Sequence, residues 1–379
     1  MEICPIANWH PMFISCFSQV EDPRIDRTKR HQLLDIFGFT IVAVLAGANG
    51  WTDVEAFGKA KLDWLRTHFE LKYGIPSHDT LGRVFGALDP AMFQQAFIEW
   101  TQALADQVEG VVSLDGKTVR RSHDDSASQG AIHMLSAWAH DNQVVLGQCK
   151  VDDKSNEITA IPELIERLDL KDCVVTIDAM GCQSSIARRI VKREADYVLA
   201  VKGNHSNLLD EVERHFADAS ESAMDYHCTQ ENSHGRRETR QCWVSTDVAE
   251  DPAVWSGLTA FIMVRASREI KGKTSTETRY YITSVQNPAA EQMLAYVRAH
   301  WGIENSLHWV LDVTFNEDQC RVRTQNAAQN FAILRHIALN TLKRDTKHKD
   351  SIRAKRRRAG WDTDYLDYLL TLLGGKEKI

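Results

Sequence analysis

The chain has 379 residues, enough to bury a large core and to form two or three structural units. Hydrophobic and charged fractions of 43% and 26% are those of an ordinary globular protein, and a formal charge of −7 excludes a uniformly basic nucleic-acid binder. Eight cysteines without a CxxC pair or zinc-like spacing exclude a zinc ribbon and point to free thiols in a reducing compartment.

Residues 1–106 read as an all-α N-terminal domain. Leu33–Ala48, Thr52–His68, Asp79–Leu88 and Pro90–Ala105 carry apolar residues three and four apart. Leu33–Ala48 is the longest apolar stretch, but it is short for a membrane span and contains Asp35 and Thr40, so it is expected as a buried helix. No charged-then-apolar leader opens the chain, which makes a cytoplasmic address the default. Ser77 and Asp89 are the expected N-caps, with Pro90 at a first helical position. Ile75–Arg83 has a weak recognition-helix pattern, for which simple packing on neighbouring helices is the commoner outcome.

From residue 107 the pattern changes. Val111–Asp115 predicts a strand, and Ala131–Ala139 with Gln143–Val151 predicts a hairpin turning at His140–Asn142. Ile161, Leu164, Ile165 and Leu168 mark a helix face after the candidate caps Ser155 and Asn156. Val174–Asp178 is the next strand, Ser184–Arg193 the next helix and Tyr197–Val201 a further strand. Three strands, then helix, strand, helix, strand is the succession of a ribonuclease-H-like α/β fold, in which the first and fourth strands are neighbours. That adjacency would bring Asp115 and Asp178 together. Each ends an aliphatic or β-branched run, a common way to present a carboxylate to a divalent cation near a phosphate. Alone, each reads more readily as a turn or N-cap acid. Glu304, in His300-Trp-Gly-Ile-Glu304-Asn, supplies a third distant acid, and Asp312, on the same helical face as Glu304 and His308, is the reserve. Together they suggest metal-dependent phosphodiester chemistry.

Residues 107–204 and 288–345 are therefore expected as two parts of a catalytic domain around a mainly β insertion, 205–287. The insertion has a helix at Leu208–Phe216 and strands at Thr239–Val244, Leu258–Ala266 and Thr276–Ser284. Glu304 and Ala327–Leu342 lie in the helical region that begins at Ala289. Residues 346–379 read as a basic tail with a last helix, Trp361–Leu373. Between Lys343 and Arg358 nine Lys/Arg face two Asp, locally +7. Smaller basic clusters lie at 24–30, 117–121, 188–193 and 236–240. Any one of these reads as a solvated face; beside an acidic triad they favour a phosphate partner. Candidate DNA contacts are Arg353, Lys355, Arg356, Arg357 and Arg358, with Lys117 and Lys202 just beyond strands that approach the acids. His133 and His234 read as non-catalytic, Trp301 as a core residue, and Gly181 and Cys182 as shaping the turn after Asp178.

Seven runs carry a family likeness. They are Leu114-Asp-Gly-Lys-Thr118, Lys154-Ser-Asn-Glu-Ile-Thr-Ala-Ile-Pro-Glu163, Ile177-Asp-Ala-Met-Gly-Cys-Gln183, Val201-Lys-Gly-Asn204, Ser233-His-Gly-Arg236, Arg279-Tyr-Tyr-Ile282 and His300-Trp-Gly-Ile-Glu-Asn-Ser-Leu-His-Trp309. Together they resemble the insertion-sequence DDE transposases, most closely the H-repeat-associated proteins found with Rhs elements, and the likeness spans essentially the whole chain. It implies metal-dependent DNA cleavage and strand transfer, with Asp115, Asp178 and Glu304 as catalytic, metal-binding acids. Asp115 would bridge two Mg²⁺ ions, Mn²⁺ substituting. In the wider group the last acid sits in a tyrosine–arginine–glutamate–lysine pattern. Here His300 stands at the arginine position and Leu311 at the lysine position, while Trp301 and Ile303 agree, leaving Arg298, His300 and His308 as candidate phosphate contacts. The implied partners are element ends and target DNA, bound by at least a homodimer close to the nucleoid, with no membrane and no small-molecule cofactor. The competing readings are a ribonuclease-H-like nuclease or junction resolvase that cuts without joining, and a non-catalytic DNA-binding remnant.

Overall fold

The aliphatic runs that read as strands do form a sheet, and it is larger than their number suggests. The computed structural model describes residues 11–105, 107–123, 130–151, 157–220, 223–233, 235–248 and 254–374. The expected caps Ser155 and Asn156, and His234, lie outside these. The five strands β1 (Val111–Thr118), β2 (His133–Ala139), β3 (Val144–Val151), β4 (Val174–Ile177) and β5 (Asp196–Val201) are followed by β6 (Asp225–Ser233), β7 (Arg236–Ser245), β8 (Ala260–Ile270) and β9 (Lys273–Thr283). All nine belong to one sheet in the order β3-β2-β1-β4-β5-β9-β8-β7-β6. β1 runs parallel to β4 and antiparallel to β2, so the first and fourth strands are neighbours.

The β insertion is not a separate layer. β9 pairs antiparallel with β5, from Val198↔Thr283 to Val201↔Tyr280, and carries β8, β7 and β6 outward on the same sheet. β8 and β9 are joined by Lys271 and Gly272, both at positive φ (50° and 74°), the two-residue turn that suits the right-handed twist of a hairpin.

Helices cover both faces. Residues packed from α7 (Glu157–Arg167), α8 (Ser184–Lys192) and α9 (Ser206–Asp218) form one apolar cluster with the inner strands, while α10 (Ala290–Ile303) covers the other face around Val174, Val198 and Ile262. A third cluster takes only Trp138 and Val145 from the sheet and is otherwise built of helices and the segments that join them. It joins α1 (Pro11–Phe17), α2 (Leu33–Leu45), α3 (Trp51–Ala60), α4 (Leu62–Leu65), α5 (His78–Ala87) and α6 (Pro90–Ala105) to α11 (Trp309–Val313), α12 (Ala327–Arg344), α13 (Ile352–Trp361) and α14 (Thr363–Leu372). Ser77 accepts a hydrogen bond from the Thr80 amide and Asp89 from the Ala91 amide, satisfying orphan donors at the starts of α5 and α6. The single helix expected over 52–68 is instead two, α3 and α4, broken at Lys61.

Residues 346–374 are no tail. Lys355 and Arg356 on α13 are buried. The Lys355 ammonium donates to the carbonyls of Leu342 and Asp345 at the end of α12, and the Arg356 guanidinium to those of Val44, Ala48 and Thr314. Both therefore satisfy carbonyls left open at helix ends, and Arg356 also lies over the Phe315 ring. Arg358 pairs with Asp362, whereas Arg353 and Arg357 are exposed.

No described helix is long and apolar enough to cross a membrane. α2 is instead buried along nearly its whole length, Asp35 included. Burial first, then the charge of Glu70, pushes the Asp35 carboxyl up to about 6. An acid whose folded pKa lies above its unfolded one favours the folded state when protonated. That contribution is full below about pH 4 and lost as pH rises through about 6. Wild type should gain up to about 3 kcal/mol from this site between about pH 7.5 and about pH 4, and Asp35→Asn should lack that gain. Denaturant melts at the two pH values check it.

Candidate active site

The parallel pairing of β1 with β4 ends at Leu114↔Ile177, so Asp115 and Asp178 are the next residues on neighbouring strands. β1 continues through Asp115 because β2 still pairs with it, Asp115 opposite Ser136. β4 stops, and Asp178 caps the turn Ala179–Gly181: one carboxylate oxygen accepts from the amides of Met180 (3.0 Å) and Gly181 (3.4 Å). Gly181 has no room for a side chain, since a Cβ would press on Ile177 and Ile161.

The third acid arrives on α10. This helix passes into a π turn, Glu304–His308, and on into α11, with the Trp309 amide bonded to the Glu304 carbonyl five residues back. Single π turns inside α-helices frequently mark functional positions. Glu304 is exposed and His308 buried; His308 Nδ1 lies 3.1 Å from Glu304 Oε2 and 3.4 Å from Asp115 Oδ2. Ligand atoms of Asp115, Glu304 and His308 all lie within 4.8 Å of one another, a spacing at which a metal ion could be held. Asp178 stands beside this group rather than within it. Below it, His300 Nδ1 is 3.1 Å from Thr176 Oγ1, whose hydroxyl donates to Ser113.

Charge is concentrated here. Burial first, then the carboxylate of Glu157, and less strongly those of Asp178 and Glu304, push Asp115 up to about 7 against the opposing Gly116 amide. Burial lowers His308 and His300 from the ordinary imidazole value, although Glu304 and Asp178 respectively pull the other way. A divalent cation would relieve the repulsion on Asp115, and two carboxylates with an imidazole nitrogen are suitable donors for Mg²⁺ or Mn²⁺.

Several expected phosphate contacts are engaged within the protein. Lys117 is held by Asp312, by Glu317 at 2.7 Å and by Asp318 at 3.7 Å, and Arg335 supports Glu317 from behind. Burial alone would lower Lys117, but Glu317 and Asp312 outweigh it and raise its pKa. Asp312, the reserve for the third acid, is thereby committed to Lys117. His308 lies between two carboxylates and His300 under the sheet end, so neither presents itself to a backbone phosphate. Lys202, after β5, is exposed. Arg298 pairs with Glu231 at 2.6 Å.

Two features escape sequence reasoning. One is a 530 Å³ cleft between β7–β9 and α10, lined by Arg236, Arg240, Arg268, Arg279 and Arg298. Trp301, expected in the core, is instead 49% exposed at this cleft with the Arg279 guanidinium over its ring. The alternation Arg236-x-Glu238-x-Arg240 is its one local signal, since it puts three charges on one face of a strand. The other is Glu157, which faces His133 across the backbone of Gly116. The thiol beside Asp178 is no nucleophile: burial pushes Cys182 up to about 12.

Comparison with known proteins places the chain in a family. A family model described as "Transposase DDE domain" matches residues 106–341, and one described as "DDE_Tnp_1-associated" matches residues 14–101. The chain is 41% identical to "H repeat-associated putative transposase YhhI" of Escherichia coli (strain K12), covering 93% of this chain and 96% of that one. It is 43% identical to "Putative transposase YncI" of Escherichia coli O157:H7, covering 93% of each. A solved piggyBac transposase synaptic complex with hairpin DNA aligns with a TM-score of 0.42 and 10% identity over 97% of this chain and 78% of that one, too distant to speak to fold or partners. On the family match and these relatives, the chain belongs to the DDE transposase family, among relatives named H repeat-associated transposases.

Proposed function

We propose that this protein cuts DNA at the ends of an insertion sequence and joins the exposed 3′ ends to target DNA, with Asp115, Asp178 and Glu304 as its metal-holding acids. The five strands β3-β2-β1-β4-β5 are read as a ribonuclease-H-like core extended by β9–β6. The carrying observation is the approach of Asp115 and Glu304, from the two ends of the catalytic segment, to within ligand distance of each other beside the strand-end Asp178.

Bound there, a pair of Mg²⁺ or Mn²⁺ ions would activate the attacking oxygen and neutralise the leaving one. The chain's own part is to hold acids in place. Asp115 is fixed by its strand, Asp178 by the two amides it accepts from, and Glu304 by His308 and the π turn. Lys117 ties the helix bearing Glu304 to the strand bearing Asp115. Exposed Lys202, Arg353 and Arg357 are proposed to meet the DNA backbone, and Arg298 to do so on exchanging Glu231 for a phosphate. Joining requires two DNA segments at once, hence at least a dimer on paired ends.

Purified protein, Mg²⁺ or Mn²⁺, labelled ends and a supercoiled target test this. Covalently joined products support the reading. Cleavage of authentic ends without joining favours a nuclease, and tight binding without cleavage a remnant. Within the basic helix α13 the two kinds of arginine should separate. Arg353→Glu with Arg357→Glu should reduce the slope of log affinity against log salt by about 1–2 with little change in stability. Arg356→Ala should cost about 3 kcal/mol of stability, because buried carbonyls lose their donor. Salt titrations of end binding and thermal melts distinguish them.

A further inference from the structure

Glu157 takes no part in the three-acid centre. It opens α7, and its Oε1 lies 2.7 Å from Nε2 of His133, whose Nδ1 is 2.9 Å from Thr118 Oγ1. Both side chains lie against Gly116, the residue after Asp115. A Cβ at position 116 would collide with Glu157 Oε1 and with His133 Nε2. Only glycine leaves space there for a carboxylate against the strand that bears Asp115. β4 stops opposite Leu114, so it does not cover this flank of β1. Of the carboxylates acting on Asp115, that of Glu157 acts most strongly. A hydrogen bond that served only to anchor α7 would gain nothing from lying beside a buried acid, and the repulsion would cost stability.

We propose that Glu157 is a fourth acid of the centre, supplying a carboxylate oxygen to a divalent cation held at Asp115, an assignment that rests on the cation-binding reading above. His133 orients that carboxylate through the contact of its Nε2 with Glu157 Oε1. β4 ends before Asp115, so no neighbouring strand stands between Asp115 and a carboxylate that reaches past Gly116 from α7.

The test is Mn²⁺ binding by the full-length, metal-free protein, followed by the electron paramagnetic resonance of unbound Mn²⁺. Wild type should bind two ions and Asp115→Asn should lose both. Glu157→Gln should keep one ion and weaken the other by about tenfold or more. Gly116→Ala retains every acid but displaces Glu157, and should weaken the same ion. If Glu157→Gln and Gly116→Ala both bind Mn²⁺ as wild type does, while Asp115→Asn does not, Glu157 is a structural partner of His133 and the assignment is overturned alone. If wild type and Asp115→Asn bind alike, the cation reading fails and takes the assignment with it. Metal-free melts verify folding; should Glu157→Gln melt far below wild type, the Gly116→Ala titration decides.

Discussion

Asp115→Asn should lower metal-dependent cleavage of an element end by ~10³-fold or more, several kcal/mol of transition-state stabilisation, while affinity for that end stays within about twofold. Asp115 is the acid at which the others meet: Glu304 and His308 approach it directly and Asp178 adjoins it on the next strand. The amide keeps the shape and removes the charge. On the proposed reading DNA affinity rests on basic groups elsewhere, so binding should persist. The metal-free melting temperature should be unchanged or higher, because a buried charge facing other carboxylates is removed. Nicking assays, gel-shift titrations and melts on one preparation suffice. Retained cleavage would reject Asp115 as the central acid; loss of binding and of the fold together would mean the substitution reports on structure.

Lys117→Met should destabilise the protein by about 3–5 kcal/mol, the usual result of removing one partner from a buried charged group. Its ammonium is the common partner of Asp312, Glu317 and Asp318. The methionine keeps the volume and leaves those carboxylates facing one another. Asp312→Asn added to Lys117→Met should recover a measurable part of the loss, because Asp312 is left facing Glu317 and Asp318 once its ammonium partner is gone. Cleavage should fall even at temperatures where the variant is folded, since β1 and the Glu304 helix are no longer tied. Urea melts of the single and double variants check the energetics. A Lys117→Met protein of wild-type stability but weakened DNA binding would restore lysine to the role of a phosphate contact.

That contrast marks where sequence stops being informative. Asp115 and Asp178 stand out because each ends a short aliphatic run, and the order of strands and helices predicts that β1 and β4 adjoin. β6 does not stand out: Asp225–Ser233 is polar on both faces, as an edge strand can be, and it reads as loop. Continuity of the sheet through β5 and β9 depends on backbone hydrogen bonds between segments some eighty residues apart, which leave no mark on composition. Counting charges along 343–358 cannot separate Arg356, which serves helix-end carbonyls, from Arg357, which faces solvent. Glu304 and Asp312 are equivalent on a helical wheel, and what separates them is the position of Lys117 on another element. Glu157 sits inside a run noted for family likeness, but only the fold brings it against Gly116.

The π turn at Glu304–His308 has a consequence for how the centre could be switched. Before it, Met293, Leu294 and Val297 belong to the core beneath the sheet; from Ile303 onward, Leu307, Val310 and Leu311 belong to the helical core. One helix is thus moored at its two ends to different bodies of packing, with the third acid at the point of transfer. Asp115 and Asp178 are moored to the sheet alone. A small slide of the helical layer over the sheet would carry Glu304 relative to two stationary aspartates. The acid farthest along the chain would then report how the helical layer sits on the sheet.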